Sequence, residues 1–133
     1  MKIRYMMHQK ALLFGDDAIA AQILKEKSPK KTQALGRQVK NFTKDKWVEN
    51  REKIVEEGSY NKFKHSLFED EDLKAKFLAT GDKELVETSP VDRIWGVGFD
   101  EKSAEDNRHD WGLNLLGKCL TRARERIRNE EMA

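Results

Sequence analysis

Glu87-Thr88-Ser89-Pro90-Val91-Asp92-Arg93-Ile94-Trp95-Gly96-Val97-Gly98 departs furthest from the helical patterning of this chain. Two carboxylates flank a Ser-Pro turn, and a Trp-Gly-Val-Gly backbone follows at once. Just upstream, Glu84-Leu85-Val86-Glu87-Thr88 has an apolar centre with no helical period. Ile94 to Phe99 is β-branched, aromatic and glycine-rich. Both segments predict short strands around a tight turn. They move the expected fold from all-helical to mainly α (α+β), with about six or seven helices and a few short strands.

Outward from this stretch the signals are helical. Met6, Met7, Ala11, Leu13 and Phe14 recur at helical offsets from Tyr5 onward, and Gly15 is a natural stop. Asp16 or Asp17 caps a second helix with Ile19, Ala20, Ile23 and Leu24 on its apolar face. Ser28-Pro29 places an N-cap before a proline at the first helical position, where the missing N–H costs nothing. That third helix is expected to end at Gly36. A fourth begins at Thr43, carries Trp47, Val48, Ile54 and Val55 as candidate core contacts, and closes at Gly58. Ser59 opens a fifth with Tyr60, Phe63 and Leu67, and Asp70 or Asp72 opens a short helix stopped by Gly81. Residues 100–110, polar and without period, read as a surface loop. The last helix starts near Asn114 and buries Leu115, Leu116, Leu120, Ala123 and Ile127.

The chain has 133 residues with 26 basic and 24 acidic side chains, which fits one domain over 1–133 and gives little reason for affinity through the phosphate backbone of nucleic acid. The interleaved Arg122, Arg124, Arg126 and Arg128 read as the solvated face of the last helix. No apolar run approaches the ~20 residues of a membrane helix, and residues 1–7 lack the features of a secretory signal. Cys119 is the single cysteine, and no Cys/His cluster has zinc spacing. A cytoplasmic protein with no metal, no cofactor and no membrane partner is the expectation.

Four places carry chemistry. Lys10 has Met7, Ala11 and Phe14 at neighbouring helical positions, and apolar packing favours a neutral, nucleophilic amine. The alternative is a lysine that snorkels its ammonium into water. Glu87 and Asp92 are a carboxylate pair of the kind that stabilises an oxocarbenium-like centre and moves a proton. Alternatively, Asp92 only caps the turn by accepting backbone N–H bonds. Trp95, Gly96 and Gly98 offer a stacking surface and close backbone approach, or else a buried tryptophan beside a glycine bulge. Asn114, after Gly112, opens the last helix, whose free amides suit phosphate; a plain capped helix start is the other reading.

Taken together, these segments resemble the NADAR (YbiA-like) family. The likeness runs through Tyr5-Met-Met-His-Gln-Lys-Ala-Leu-Leu-Phe-Gly-Asp16, Ala34-Leu-Gly-Arg37, Trp47, Lys62-Phe63 and Leu78-Ala-Thr-Gly-Asp82. It continues through Leu85 to Gly98 and Trp111-Gly-Leu-Asn-Leu-Leu-Gly-Lys118. The resemblance implies an N-glycosidase acting on a ribosyl-phosphate intermediate of riboflavin biosynthesis or on an ADP-ribosyl substrate, including ADP-ribosylated nucleic acid. It implies Lys10 as the catalytic lysine, forming an imine-type intermediate at the anomeric carbon. Glu87 and Asp92 then supply acid–base chemistry and cation stabilisation. Trp95, with Gly96 and Gly98, contacts the substrate, and Asn114 holds hydroxyl or phosphate oxygens. Family members also carry a segment of a few dozen residues before the first matching helix, with a Glu shortly before the Tyr. Here Ile3-Arg4 stand before Tyr5, so a domain lacking that segment is expected. A catalytically impaired ADP-ribose or nucleotide-binding module is the alternative function.

Overall fold

The structure is a computed structural model that describes residues 3–65 and 72–133. Leu67 and Asp70, assigned above to helices, lie outside the described residues. The protein is mainly helical. Its α-helices are α1 (Ile3–Leu13), α2 (Asp17–Lys25), α3 (Pro29–Arg37), α4 (Lys44–Lys64), α5 (Leu73–Ala79), α6 (Glu101–Ala104) and α7 (Leu115–Met132), with a 3-10 helix over Glu105–Asp110. The chain divides into two compact units, Met1–Gly58 and Ser59–Ala133.

In the first unit, Ala11, Phe14, Ile19, Ala20, Ile23 and Val39 form the core, with Met7, Leu13, Leu35 and Trp47 packed against it. Ile19, Ala20 and Ile23 face inward as their spacing predicts, but Leu24 is exposed. Gly15, at φ 73°, turns the chain out of α1. Asp16 then accepts the Ile19 amide at 3.1 Å and the Lys40 amide at 2.9 Å. One buried carboxylate therefore caps α2 and anchors the segment after α3. Ser28 caps α3 through the Lys31 amide, with Pro29 at the first helical position.

In the second unit, Tyr60, Phe77, Ala123 and Ile127 form the core, joined by Phe63, Leu78, Leu85 and Leu120. Phe63 and Phe77 stack with centroids 4.0 Å apart. Asp72 caps α5 through the Ala75 amide. Of the stripe predicted on α7, Leu115, Ala123 and Ile127 are buried and Leu116 and Leu120 half-buried, and Gly117, Cys119 and Arg124 are buried beside them.

Val48, like Leu24, is exposed and does not join the core. Four further expectations need revision. The predicted stop at Gly58 does not occur, and α4 runs through it. Glycine costs a helix interior only about 1 kcal/mol, and Gly58 lacks the positive φ that ends α1 and α5 at Gly15 and Gly81. The 100–110 loop is instead α6 and the 3-10 helix: Asp100 caps α6 through the Ser103 amide at 2.9 Å, and four residues are too few to show a period. The solvated arginine face is only partly so. Arg124 is 4% exposed and donates to the Thr80 hydroxyl and Lys83 carbonyl. Finally, no strand occurs among the described residues. Residues 83–89 and 92–99 run as extended or bent chain, their backbone groups bonded one by one to turns and to the start of α7.

Candidate active site

Lys10 lies on α1 in the first unit. Its amine sits 4.6 Å from the Phe42 ring centroid and 5.6 Å from that of Trp47. The aromatic faces attract the cation, yet they also exclude its water. Burial pushes the Lys10 amine below the ordinary lysine range, and the Arg37 charge pushes it the same way. Both rings come from chain beyond α3. Phe42 also meets the core residue Phe14, with ring centroids 5.3 Å apart and the planes tilted by 55°. Sequence reasoning missed Phe42; its only signal was an aromatic beside Asn41, which takes a positive φ of 63°.

The other predicted residues fall in the second unit, where the structure brings them together. Five successive amides entering α7 donate to five successive carbonyls of the Trp95 loop. Gly112 bonds Val97 at 2.9 Å, Leu113 bonds Arg93 at 2.8 Å, and Asn114 bonds Gly96 at 3.1 Å. Leu115 bonds Ile94 and Leu116 bonds Trp95, each at 3.0 Å. The first amides of α7, which the sequence offered to a phosphate, are therefore engaged by backbone. Asn114 occupies the N-cap position at φ 50° but makes no side-chain cap. Its side chain instead accepts the Glu87 amide and donates to the Leu85 carbonyl, each at 3.0 Å.

Glycines make this packing possible. A Cβ on Gly96 would stand 2.8 Å from the Glu87 carbonyl oxygen, and one on Gly112 would stand 2.3 Å from that of Arg93. Gly98 has φ 81°, the left-handed region where glycine carries no penalty. Close packing thus accounts for Gly96 and a positive φ for Gly98.

Glu87 is half-buried, and its carboxylate has no hydrogen-bond or ion-pair partner among the described residues. Asp92 is differently engaged. Its Oδ1 accepts the Ile94 and Trp95 amides, both at 2.9 Å, so the turn-capping role holds for that oxygen. Trp95 is half-buried beside them. The arrangement presents one unpaired carboxylate, one carboxylate fixed by backbone, and an indole on a rigid loop. No group of three or more His, Cys, Asp or Glu side chains suited to a metal ion occurs among the described residues.

The first unit thus carries a half-buried lysine on α1 under two aromatic rings, and the second a carboxylate–tryptophan loop bonded to the start of the last helix. The NADAR domain family model matches residues 2–128, and the chain belongs to that family. It is 41% identical over 124 residues to an N-glycosidase of Acanthamoeba polyphaga mimivirus, covering 92% of this chain and 71% of the viral protein. It is 38% identical over 129 residues to the protein irg-1 of Caenorhabditis elegans, covering 93% of this chain and 58% of that protein. An N-glycosidase of Nostoc punctiforme is 34% identical over 125 residues, covering 94% of this chain and 72% of its own length. The chain thus spans between 58% and 72% of the lengths of these relatives.

Proposed function

We propose that this chain is an N-glycosidase that hydrolyses the bond between a base and a ribosyl-phosphate or ADP-ribosyl group. The observation that carries the reading is the desolvated Lys10 amine on Phe42 and Trp47. Family membership and two relatives named N-glycosidases support it. Because the family match runs through both compact units, we take 1–133 as one functional domain. With one buried cysteine and, among the described residues, no helix long and apolar enough to cross a membrane, we assign its work to the cytoplasm.

In this reading the Lys10 lone pair attacks the anomeric carbon as the base departs with the bonding electrons. Glu87 gives the leaving nitrogen its proton. Loss of the amine proton and opening of the sugar ring form an imine, and water adds to it. The freed aldehyde sugar closes to the hemiacetal, and lysine is regenerated. The sum is base–ribosyl plus water giving base–H and ribosyl–OH. Asp92, through the oxygen its turn leaves available, stabilises positive charge at the sugar, while Trp95 with Gly96 and Gly98 forms the stacking wall. Asn114 acts as a positioning residue, fixing the backbone of Glu87. The candidate substrates are a phosphoribosylated pyrimidine of the riboflavin pathway and ADP-ribosylated guanine, free or in nucleic acid.

The test is chromatographic detection of free base from a phosphoribosylated pyrimidine and from ADP-ribosylated guanosine. Borohydride should trap the imine as a mass adduct on the peptide containing Lys10. Lys10→Ala should abolish both base release and the adduct. Binding without base release from either substrate removes the N-glycosidase reading in favour of a binding module.

A further inference from the structure

We propose that Arg51 holds the phosphate of the ribosyl substrate beside Lys10, donating to its oxygens from the two terminal nitrogens of the guanidinium. The proposal rests on the N-glycosidase reading and assigns it a phosphate-binding residue.

Arg51 lies in the part of α4 that belongs to the first unit, where Trp47, Arg51, Ile54 and Val55 follow helical spacing along one stripe. The stripe faces inward: Val55 is 1% exposed, and Trp47 packs on the core. Arg51 is half-buried within it, and its Nε is sealed from solvent with no hydrogen-bond partner. No other buried side-chain nitrogen or oxygen among the described residues lacks one. The two terminal nitrogens are not sealed in this way, and no carboxylate among the described residues pairs with them. Enclosing a charged donor without a partner costs folding stability, and native proteins leave few such atoms. Here the enclosure holds the guanidinium while its outer edge stays open to a ligand. Such an edge matches two phosphate oxygens at once.

Position relative to Lys10 selects the ligand. The Trp47 ring lies 5.6 Å from the Lys10 amine, and Arg51 follows Trp47 by one turn, about 6 Å along the helix axis. Helical side chains lean toward the helix N-terminus, which directs Arg51 back over the Trp47 turn. Further along α4, burial first and the Glu57 charge second push the Tyr5 phenol up. Side chains of α1 thus neighbour α4 both before and after Arg51. In a ribose 5-phosphate the phosphate stands at the far end of the sugar from the anomeric carbon. With that carbon at the Lys10 amine, a cation one turn beyond the aromatic wall is placed to take the phosphate. Its positive charge also offsets a phosphate charge that would otherwise favour the ammonium form of Lys10.

The experiment is calorimetry on the whole chain with ribose 5-phosphate and unphosphorylated ribose, for wild type, Arg51→Met, Arg51→Gln and Arg51→Lys, beside urea unfolding of each. Arg51→Met removes a donor without a partner in the free protein, so its unfolding midpoint should hold or rise. Its ribose 5-phosphate binding should weaken by about tenfold or more, the scale of a lost hydrogen bond to a charged group. Ribose binding should not move. Arg51→Gln, also neutral, should show the same loss and carries the comparison if the methionine variant does not fold. Arg51→Lys should restore part of the affinity, since an ammonium keeps the charge but lacks the planar fork. In turnover, Arg51→Met should raise KM for the phosphorylated substrate more than it lowers kcat. Ribose 5-phosphate affinity equal to wild type in both neutral variants overturns the phosphate site while leaving base release, and so the N-glycosidase reading, intact. An equal loss for ribose and ribose 5-phosphate also overturns it. Arg51-dependent phosphate binding without any base release keeps the phosphate site and removes the N-glycosidase reading.

Discussion

Asn114 Oδ1 accepts the Glu87 amide at 3.0 Å, while Asn114 Nδ2 donates to the Leu85 carbonyl at the same distance. One side chain thus substitutes for the two backbone bonds that a neighbouring strand would give this extended segment. It does so from a left-handed backbone, φ 50°, that asparagine tolerates better than most residues. Asn114→Gly keeps the conformation and loses both bonds, at a cost of about 2 kcal/mol. Asn114→Ala should cost about 1–2 kcal/mol more, because alanine resists the left-handed region. Urea unfolding of the two variants checks the order, and turnover should fall in both as Glu87 loses its anchor.

Gly112 and Gly36 are both closely packed, against partners of different stiffness. A Cβ on Gly112 meets the Arg93 backbone, whereas one on Gly36 meets the end of a flexible side chain, the Met7 sulfur, at 2.1 Å. Gly112→Ala should therefore destabilise by about 3 kcal/mol, the upper end for overpacking, and Gly36→Ala by about 1 kcal/mol. Adding Met7→Ala should recover part of the loss for Gly36→Ala. Denaturant midpoints for the double-mutant cycle report that coupling.

The Lys10 amine carries a pH prediction. Burial first, and the Arg37 charge second, hold its pKa below the ordinary value, which is about 10.4. In the proposed mechanism the neutral amine is the active form and is then gained at lower pH, so the acid limb of kcat/KM should lie below the usual lysine range. Arg37→Gln removes a like charge, favours the ammonium and should move that limb upward. A limb that stays in place shows that burial alone sets the pKa.

Asp16 gives a stability prediction of the opposite sign. The Lys40 and then the Ile19 amide bonds hold its carboxyl below the usual carboxylate range. Its contribution is complete above the unfolded value, about 3.9, and is lost as pH falls through the lower folded value. Unfolding midpoints should decline over that acidic window in wild type. Asp16→Asn should be less stable at neutral pH and show a smaller acid-dependent decline.

Much of the helical framework was legible because its signals are local. Asp16, Ser28 and Asp72 cap the helices they precede, each through the amide three residues on. For Lys10 the spacing left two readings open, a desolvated amine and a snorkelled ammonium; the structure lowers its pKa by burial, with the Phe42 and Trp47 rings near the amine. Asp92 was legible as a turn cap because an Asx turn spans only two or three residues. Arg124 was not, since alternation with acids on α7 cannot reveal that one guanidinium is enclosed by residues more than 40 positions upstream.

The sequence by itself determined the capped helices, the family, and the loop of acids, indole and glycines that the family motif carries. Helix caps and turns involve groups a few residues apart, so composition and spacing are enough to specify them. Tertiary structure decided what the loop is made of and what holds it. Pairing of the 93–97 carbonyls with the 112–116 amides replaced the expected strands, because those backbone groups found partners at the start of a helix and not in a ladder. It also converted Asn114 from a helix cap into the clamp on Glu87, a role set by residues 27 and 29 positions away.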